Sequence, residues 1–297
     1  MPPHPYIAAQ MDRLASQPAL SSGTPDQARA AFSAGSANLG APAPMACRRD
    51  VAIPTRHGTV PGRWLTPENA TRGVILYLHG GGWVLGDLDG FEVMCRRLAQ
   101  LSRTKVLMLD YRLAPEHPFP AGLTDVQDAL TDLARQSNEP VVVAGDSAGA
   151  NLATVAARSL AGALAGQVLF YPVVGSDFGT ASYLRYATGW PLSRQDMRWF
   201  FSNYATADQW SDPDVAPLRA AEQTGLPPTF ITTAEYDVLQ SEGLAYARAL
   251  AENGIEMTLH EAAGMAHGFL RQHNFVPEAD ATLALAARAI QRMLSVE

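Results

Sequence analysis

Five short runs that stay apolar on both faces, separated by helix-length stretches, leave this chain few architectures. They are Val74-Ile75-Leu76-Tyr77-Leu78, Val106–Leu109, Val141–Ala144, Val168–Tyr171 and Thr229–Thr233. A strand with one wet face alternates, whereas a continuous apolar run suits a strand covered on both faces of a mostly parallel sheet. Helical patterns fill the gaps near 89–102, 121–136, 148–161, 241–253 and 277–295. This alternation predicts an α/β fold of the doubly wound kind. Residues near 50–66 predict a hairpin or another antiparallel start. No internal repeat is present. The 297 residues have room for one sizeable core.

Two segments depart from the alternation. Residues 1–45 are rich in Ala, Ser, Pro and Gly, which allows a disordered leader. Yet Ile7, Met11 and Leu14 fall at helical spacing, and Thr24-Pro25-Asp26-Gln27 has the form of a helix start, so two short helices are expected. The second segment carries eight aromatics between Tyr183 and Trp210, a stretch of 28 residues. It follows a predicted strand, where a plain crossover would suffice. A helix pair with its own small core and a lid over an apolar pocket are both compatible with it.

Composition removes several classes. The net charge of −7 and pI near 5.5 leave no footprint for nucleic acid or an anionic membrane. Lys105 is the only lysine, and it stands at the start of a predicted strand, away from any motif. Cys47 and Cys95 are far apart, which argues against a zinc cluster, a redox pair or a disulfide framework. The opening Met-Pro-Pro-His-Pro-Tyr lacks the pattern of a signal peptide, and no run reaches transmembrane length. A soluble cytoplasmic protein is the expectation.

The chemistry concentrates in a few turns. Gly145-Asp146-Ser147-Ala148-Gly149 lies between a predicted strand and a predicted helix. That context is the nucleophile elbow, a tight turn that exposes a serine at the helix N-terminus, where negative charge develops. His79-Gly80-Gly81-Gly82-Trp83 follows the first apolar run, and consecutive glycines let backbone N–H groups turn into a cavity. It lacks the endings of a phosphate loop. A base and an acid are then expected after the serine. His260, His267 and His273 qualify by position; His267 lies in a Gly-flanked loop just past a strand and is preferred. Asp237 is the preferred acid for the same reason, with Glu235 its near rival and Asp212 and Asp214 less well placed. These groups would run acyl transfer: Ser147 attacks, His267 takes its proton and Asp237 holds the imidazole. The N–H groups of Gly81, Gly82 and Ala148 would hold the oxyanion. No metal or cofactor is required.

Together these motifs resemble the hormone-sensitive-lipase-like esterases, a bacterial branch of the α/β-hydrolases. The likeness spans about residues 50–290. Its marks are His79–Trp83, the run Asp110–Glu116 with Phe119-Pro120-Ala121, Gly145–Gly149, and Gly264–Phe269. The resemblance implies an eight-stranded sheet, a core of residues 46–177 and 217–297, and a cap made from residues 1–45 and an insertion at 178–216. It implies short- to medium-chain esters as substrates, and the same oxyanion assignment. The Tyr111–Glu116 run is read as support beneath the site. Trp83, Trp190, Trp199, Phe200 and Tyr204 are candidates for the substrate pocket. The acid loop departs from the family pattern Asp-Pro-Leu-x-Asp-Glu-Gly: here Asp237-Val238-Leu239-Gln240-Ser241-Glu242-Gly243 lacks the proline and one aspartate. An amidase or arylformamidase is the main alternative, since related proteins share the His-Gly-Gly-x-Trp start. A non-catalytic receptor on this fold would lack the histidine. The last predicted strand offers an edge along which a homodimer could pair.

Overall fold

In the computed structural model, which describes residues 2–14, 19–221 and 223–295, the five apolar runs all become strands of one eight-stranded sheet. The strands are β1 (Cys47–Thr55), β2 (Gly58–Thr66), β3 (Val74–Leu78), β4 (Lys105–Leu109), β5 (Val141–Asp146), β6 (Gly166–Phe170), β7 (Thr229–Tyr236) and β8 (Met257–Ala266). Their order is β1-β2-β4-β3-β5-β6-β7-β8. The early segment is an antiparallel hairpin, and β2 meets β4 antiparallel; every later pairing is parallel. The helices are α1 (Pro5–Leu14), α2 (Pro25–Ser36), α3 (Leu88–Ser102), α4 (Ala121–Gln136), α5 (Ala148–Ser159), α6 (Ala181–Arg185), α7 (Arg194–Tyr204), α8 (Gln240–Glu252) and α9 (Pro277–Ser295). Residues 1, 15–18, 222 and 296–297 of the spans expected from sequence lie outside the described residues.

The period of two in a strand explains why the runs had to be apolar throughout. On β3, Ile75 and Tyr77 enter a core with Phe91 and Met94 of α3 and Leu283 and Ile290 of α9. Leu76 and Leu78 enter the opposite core with Val126 of α4 and Leu152 of α5. Helix α5 is buried from Ala148 to Ala157, and its small residues let it lie close on the sheet.

The N-terminal segment does form helices. Thr24 caps α2 reciprocally with Gln27: the Gln27 N–H donates to Thr24 Oγ1 at 3.3 Å, and the Thr24 N–H donates to Gln27 Oε1 at 2.9 Å. This segment touches both the sheet and the insertion. The His4 N–H donates to the Gly264 carbonyl at 3.0 Å, and the Ser21 N–H donates to Asp196 of α7 at 3.0 Å. Within the 178–216 stretch the aromatics pack on one another. Phe178 meets Tyr183, Phe201 and Trp210 edge-on at 5.4, 5.3 and 5.7 Å.

Candidate active site

Strand β5 ends in a turn whose backbone only a special sequence tolerates. Ser147 sits at φ +55°, a left-handed conformation that costs a non-glycine residue energy and recurs at functional turns. The flanking glycines are steric requirements. A Cβ on Gly145 would lie 2.5 Å from the Gly149 backbone, and one on Gly149 would lie 2.0 Å from the Leu78 carbonyl oxygen. The turn therefore brings α5 against the end of β3, where the His79–Trp83 loop begins.

Strands β7 and β8 bring the other two candidates to the same end of the sheet. Asp237 directly follows β7 and His267 directly follows β8. His267 Nε2 lies 2.9 Å from Ser147 Oγ, and His267 Nδ1 lies 2.7 Å from Asp237 Oδ2. A carboxylate on Nδ1 requires a proton there, which leaves the Nε2 lone pair facing the hydroxyl. The other Asp237 oxygen accepts the Leu239 N–H at 3.0 Å. The Tyr171 ring meets the His267 imidazole edge-on at 4.8 Å. Ser147 is 5% exposed and Asp237 1%, while the His267 side chain between them keeps 14% of its surface open to water.

The rival residues are engaged elsewhere. Glu235 accepts the Gly264 N–H at 2.7 Å, which draws its carboxyl below the usual range. His260 contacts Thr282 at 3.2 Å, His273 contacts the Leu270 carbonyl at 3.3 Å, and Asp214 pairs with Arg158. Asp212 accepts the Asp214 N–H at 2.8 Å.

The glycine loop opposite is wound through three successive positive φ values: Gly81 at +118°, Gly82 at +60° and Trp83 at +62°. A Cβ on Gly81 would meet the Leu85 carbonyl oxygen at 2.2 Å. Ala148 is the first residue of α5, so its N–H has no acceptor within the helix. Two groups that sequence reasoning did not single out, Asp146 and Arg29, brace this loop together with the Tyr111–Glu116 run. Asp146 Oδ1 accepts the Gly80 N–H at 2.9 Å and the Tyr77 hydroxyl at 2.8 Å, and burial raises this carboxyl's pKa. The Tyr111 hydroxyl donates to the His79 carbonyl at 2.8 Å, and the His79 ring stacks on Tyr111 at 4.5 Å. The Ala114 N–H donates to the Trp83 carbonyl at 2.9 Å. Arg29 of α2 reaches in from outside: it donates to the Val84 and Ala114 carbonyls, each at 2.9 Å, and pairs with Glu116. Asp146 stood inside the recognised elbow motif; nothing in the local pattern around Arg29 marks it.

The five candidate pocket aromatics fall in two places. Trp83 stacks on Tyr204 at 4.2 Å, and both are buried in the packing between the glycine loop and α7. Phe200 covers Gly82 so closely that a Cβ there would come within 2.1 Å of its ring. Trp199 lies half-buried against Phe200 at 5.3 Å. Trp190 is on the acid side, stacked on Tyr236 at 4.5 Å. Among the described residues, no three His, Cys, Asp or Glu side chains form a group that could hold a metal, and no helix is long and apolar enough to cross a membrane.

Comparison with known proteins gives a consistent result. The family described as alpha/beta hydrolase fold matches residues 75–271. Ethyl acetate hydrolase of Pseudomonas putida is 36% identical over 288 residues, covering 91% of this chain and 90% of that protein. Carboxylesterase NlhH of Mycobacterium tuberculosis is 36% identical over 235 residues, 74% of each chain. The crystal structure of a thermostable esterase from Pseudomonas putida ECU1011 superposes with a TM-score of 0.94 at 30% identity, covering 100% of this chain and 99% of that one.

Proposed function

This chain belongs to the hormone-sensitive-lipase-like esterases of the α/β-hydrolase superfamily, and on that premise we propose that Ser147, His267 and Asp237 carry out its hydrolysis of carboxylic esters. The observation that carries the proposal is the unbroken relay from Ser147 through His267 to Asp237, at 2.9 and 2.7 Å, on a serine held at positive φ. His267 takes the hydroxyl proton as Ser147 Oγ attacks the ester carbonyl. Asp237 keeps the reactive tautomer and stabilises the imidazolium. The N–H groups of Gly81, Gly82 and Ala148 receive the oxyanion, each worth about 3 kcal/mol of barrier. His267 then returns the proton to the leaving alcohol. It next activates a water, which attacks the acyl-enzyme and frees the acid.

The N-terminal helices and the 178–216 insertion act as a cap over this site. Their mutual contact at Ser21 and Asp196 and the seat of Phe200 on Gly82 support that role. Phe200 and Trp199 then bound the space beside the oxyanion, and Trp190 bounds it near the acid. Such a closed apolar wall suits compact, short- to medium-chain acyl groups. The two cysteines are free, which suits a reducing compartment such as the cytoplasm. A homodimer, if formed, would use β8, which ends the sheet.

The test is hydrolysis of a p-nitrophenyl ester series from acetate to palmitate by the wild type and by Ser147→Ala. We expect a short-chain preference and a fall in kcat of several orders of magnitude in the variant. Activity surviving in Ser147→Ala would remove Ser147 as nucleophile. Equal rates from acetyl to palmitoyl would remove the closed pocket.

A further inference from the structure

Acyl transfer leaves one buried carboxyl group behind the relay without a task. Glu242, the third residue of α8, is 3% exposed. Its Oε1 accepts the Val174 N–H at 2.8 Å and the Gly175 N–H at 3.1 Å. Its Oε2 is buried with no hydrogen-bond partner among the described residues. The segment it grips is a junction. The Val173 N–H donates to the Ser147 carbonyl at 3.3 Å, and the Val174 carbonyl accepts the Leu218 N–H at 2.8 Å, where the chain returns from the insertion. Helix α8 itself grows out of the loop that carries Asp237. Two routes therefore join Ser147 to Asp237. One runs through His267 in front. The other runs behind, through residues 173–175 and Glu242.

We propose that Glu242 is a positioning residue that fixes the Asp237 loop against the Ser147 turn from behind, and through Val174 also fixes the stem of the insertion. Its protonation state is part of that role. Burial pushes the Glu242 carboxyl up to about 8, with Asp237 and Asp177 adding to the effect, against the two N–H donors that favour the anion. Tyr183 of α6 is a further titratable group that senses Glu242, and it too is held neutral, by burial first. Through neutral pH the group is thus an uncharged acid. Ionisation leaves a bare charged oxygen in an apolar site beside two carboxylates, a cost relieved by water entering or by the loops parting. The folded value lies above the ordinary 4.5, so stability falls as pH rises from about 4.5 to about 8 and levels off beyond.

The inference rests on the triad reading, and Ser147→Ala, run in parallel, keeps the two separable. The experiment compares the full-length wild type with Glu242→Gln and Glu242→Ala, measuring kcat, KM and melting temperature from about pH 5.5 to 9.5. The wild type's kcat should fall as pH rises past about 8, and a wild type with no such fall would overturn the inference. Glutamine mimics the neutral acid, so it should keep kcat within about threefold at neutral pH and abolish that fall. It should also lose less melting temperature than the wild type between pH 5.5 and 9.5. Alanine should lower kcat about tenfold with KM within about twofold. An alkaline limb unchanged in Glu242→Gln would overturn the inference, as would a folded Glu242→Ala with wild-type kcat. Should the alanine variant fail to fold, the glutamine profile decides alone. Activity surviving in Ser147→Ala would instead indict the triad.

Discussion

The glycine loop and elbow on one side of the site, and the Asp237 loop on the other, are positioned by different physics. On the first side Asp146, Tyr111 and Arg29 brace the loop, but at its tightest points backbone lies on backbone. Gly149 leaves no room for a Cβ against the Leu78 carbonyl, and neither does Gly81 against the Leu85 carbonyl. Steric exclusion of this kind admits one residue type, so it is written in the sequence as a motif. On the second side, side chains hold the loop across long sequence separations. The Ser182 hydroxyl donates to the Val238 carbonyl at 2.6 Å, Ser182 and Ser241 exchange backbone-to-hydroxyl bonds at 3.0 and 3.1 Å, and Glu242 grips Val174 and Gly175. Many residue sets can satisfy hydrogen bonds, so this side is free to drift. That is the physical content of the departure from Asp-Pro-Leu-x-Asp-Glu-Gly. The proline's rigidity and the second aspartate are absent, and Ser182 of the 178–216 segment, paired with Ser241 of the loop itself, holds the loop in this chain.

Substitutions can break this contrast, beginning with the most severe. Gly149→Ala forces a Cβ to 2.0 Å from a buried carbonyl oxygen. We expect it to cost about 3 kcal/mol or more in denaturant unfolding and to remove ester hydrolysis. Near-native stability would mean that the helix can slide away and that the steric account is too rigid. Gly82→Ala comes next, with its Cβ 2.1 Å from the Phe200 ring at φ +60°. A displaced oxyanion donor predicts a loss in kcat of about 100-fold. Part of that loss should return in the double variant with Phe200→Ala, and strictly additive effects would argue that φ alone is responsible. The smallest expected effect sharpens the other side. Ser182→Ala leaves the Val238 carbonyl without its donor and should cost about 1–2 kcal/mol, with a few-fold drop in kcat and little change in KM. If stability and kcat both stay at wild-type values, side-chain hydrogen bonds do not hold the acid loop.

The same contrast explains what could be read before any coordinates. Strands β3 to β6 were legible because burial on both faces makes them continuous apolar runs. Strand β8 runs on through Ala262-Ala263-Gly264-Met265-Ala266, into what reads as a Gly-flanked loop in sequence, because small residues and a glycine carry little strand signal even though most of them are buried. Glycine context pointed to Ser147 and His267, and the structure brings the two within 2.9 Å. Asp237 was preferred to Glu235 from its place at the strand end, and the contacts separate them further: Asp237 turns to the histidine and Glu235 to the Gly264 N–H. Arg29 and Ser182 went unrecognised because their partners are backbone atoms 55 and 56 residues away, which no local pattern encodes; Glu242 keeps the Glu of the acid-loop pattern, but that pattern does not say that it grips a backbone 68 residues away.

The insertion leaves and rejoins the sheet through a narrow stem, where the Val174 carbonyl and the Leu218 N–H meet. Such a stem makes the segment between β6 and β7 separable in inheritance from the rest of the chain. A lineage could trade one such segment for another while the strand ends that carry Ser147, Asp237 and His267 stay where they are. The trade has a condition. The incoming segment would have to bring a hydroxyl, or its equivalent, to the place of Ser182, or the recipient's acid loop would lose a tie it does not make for itself.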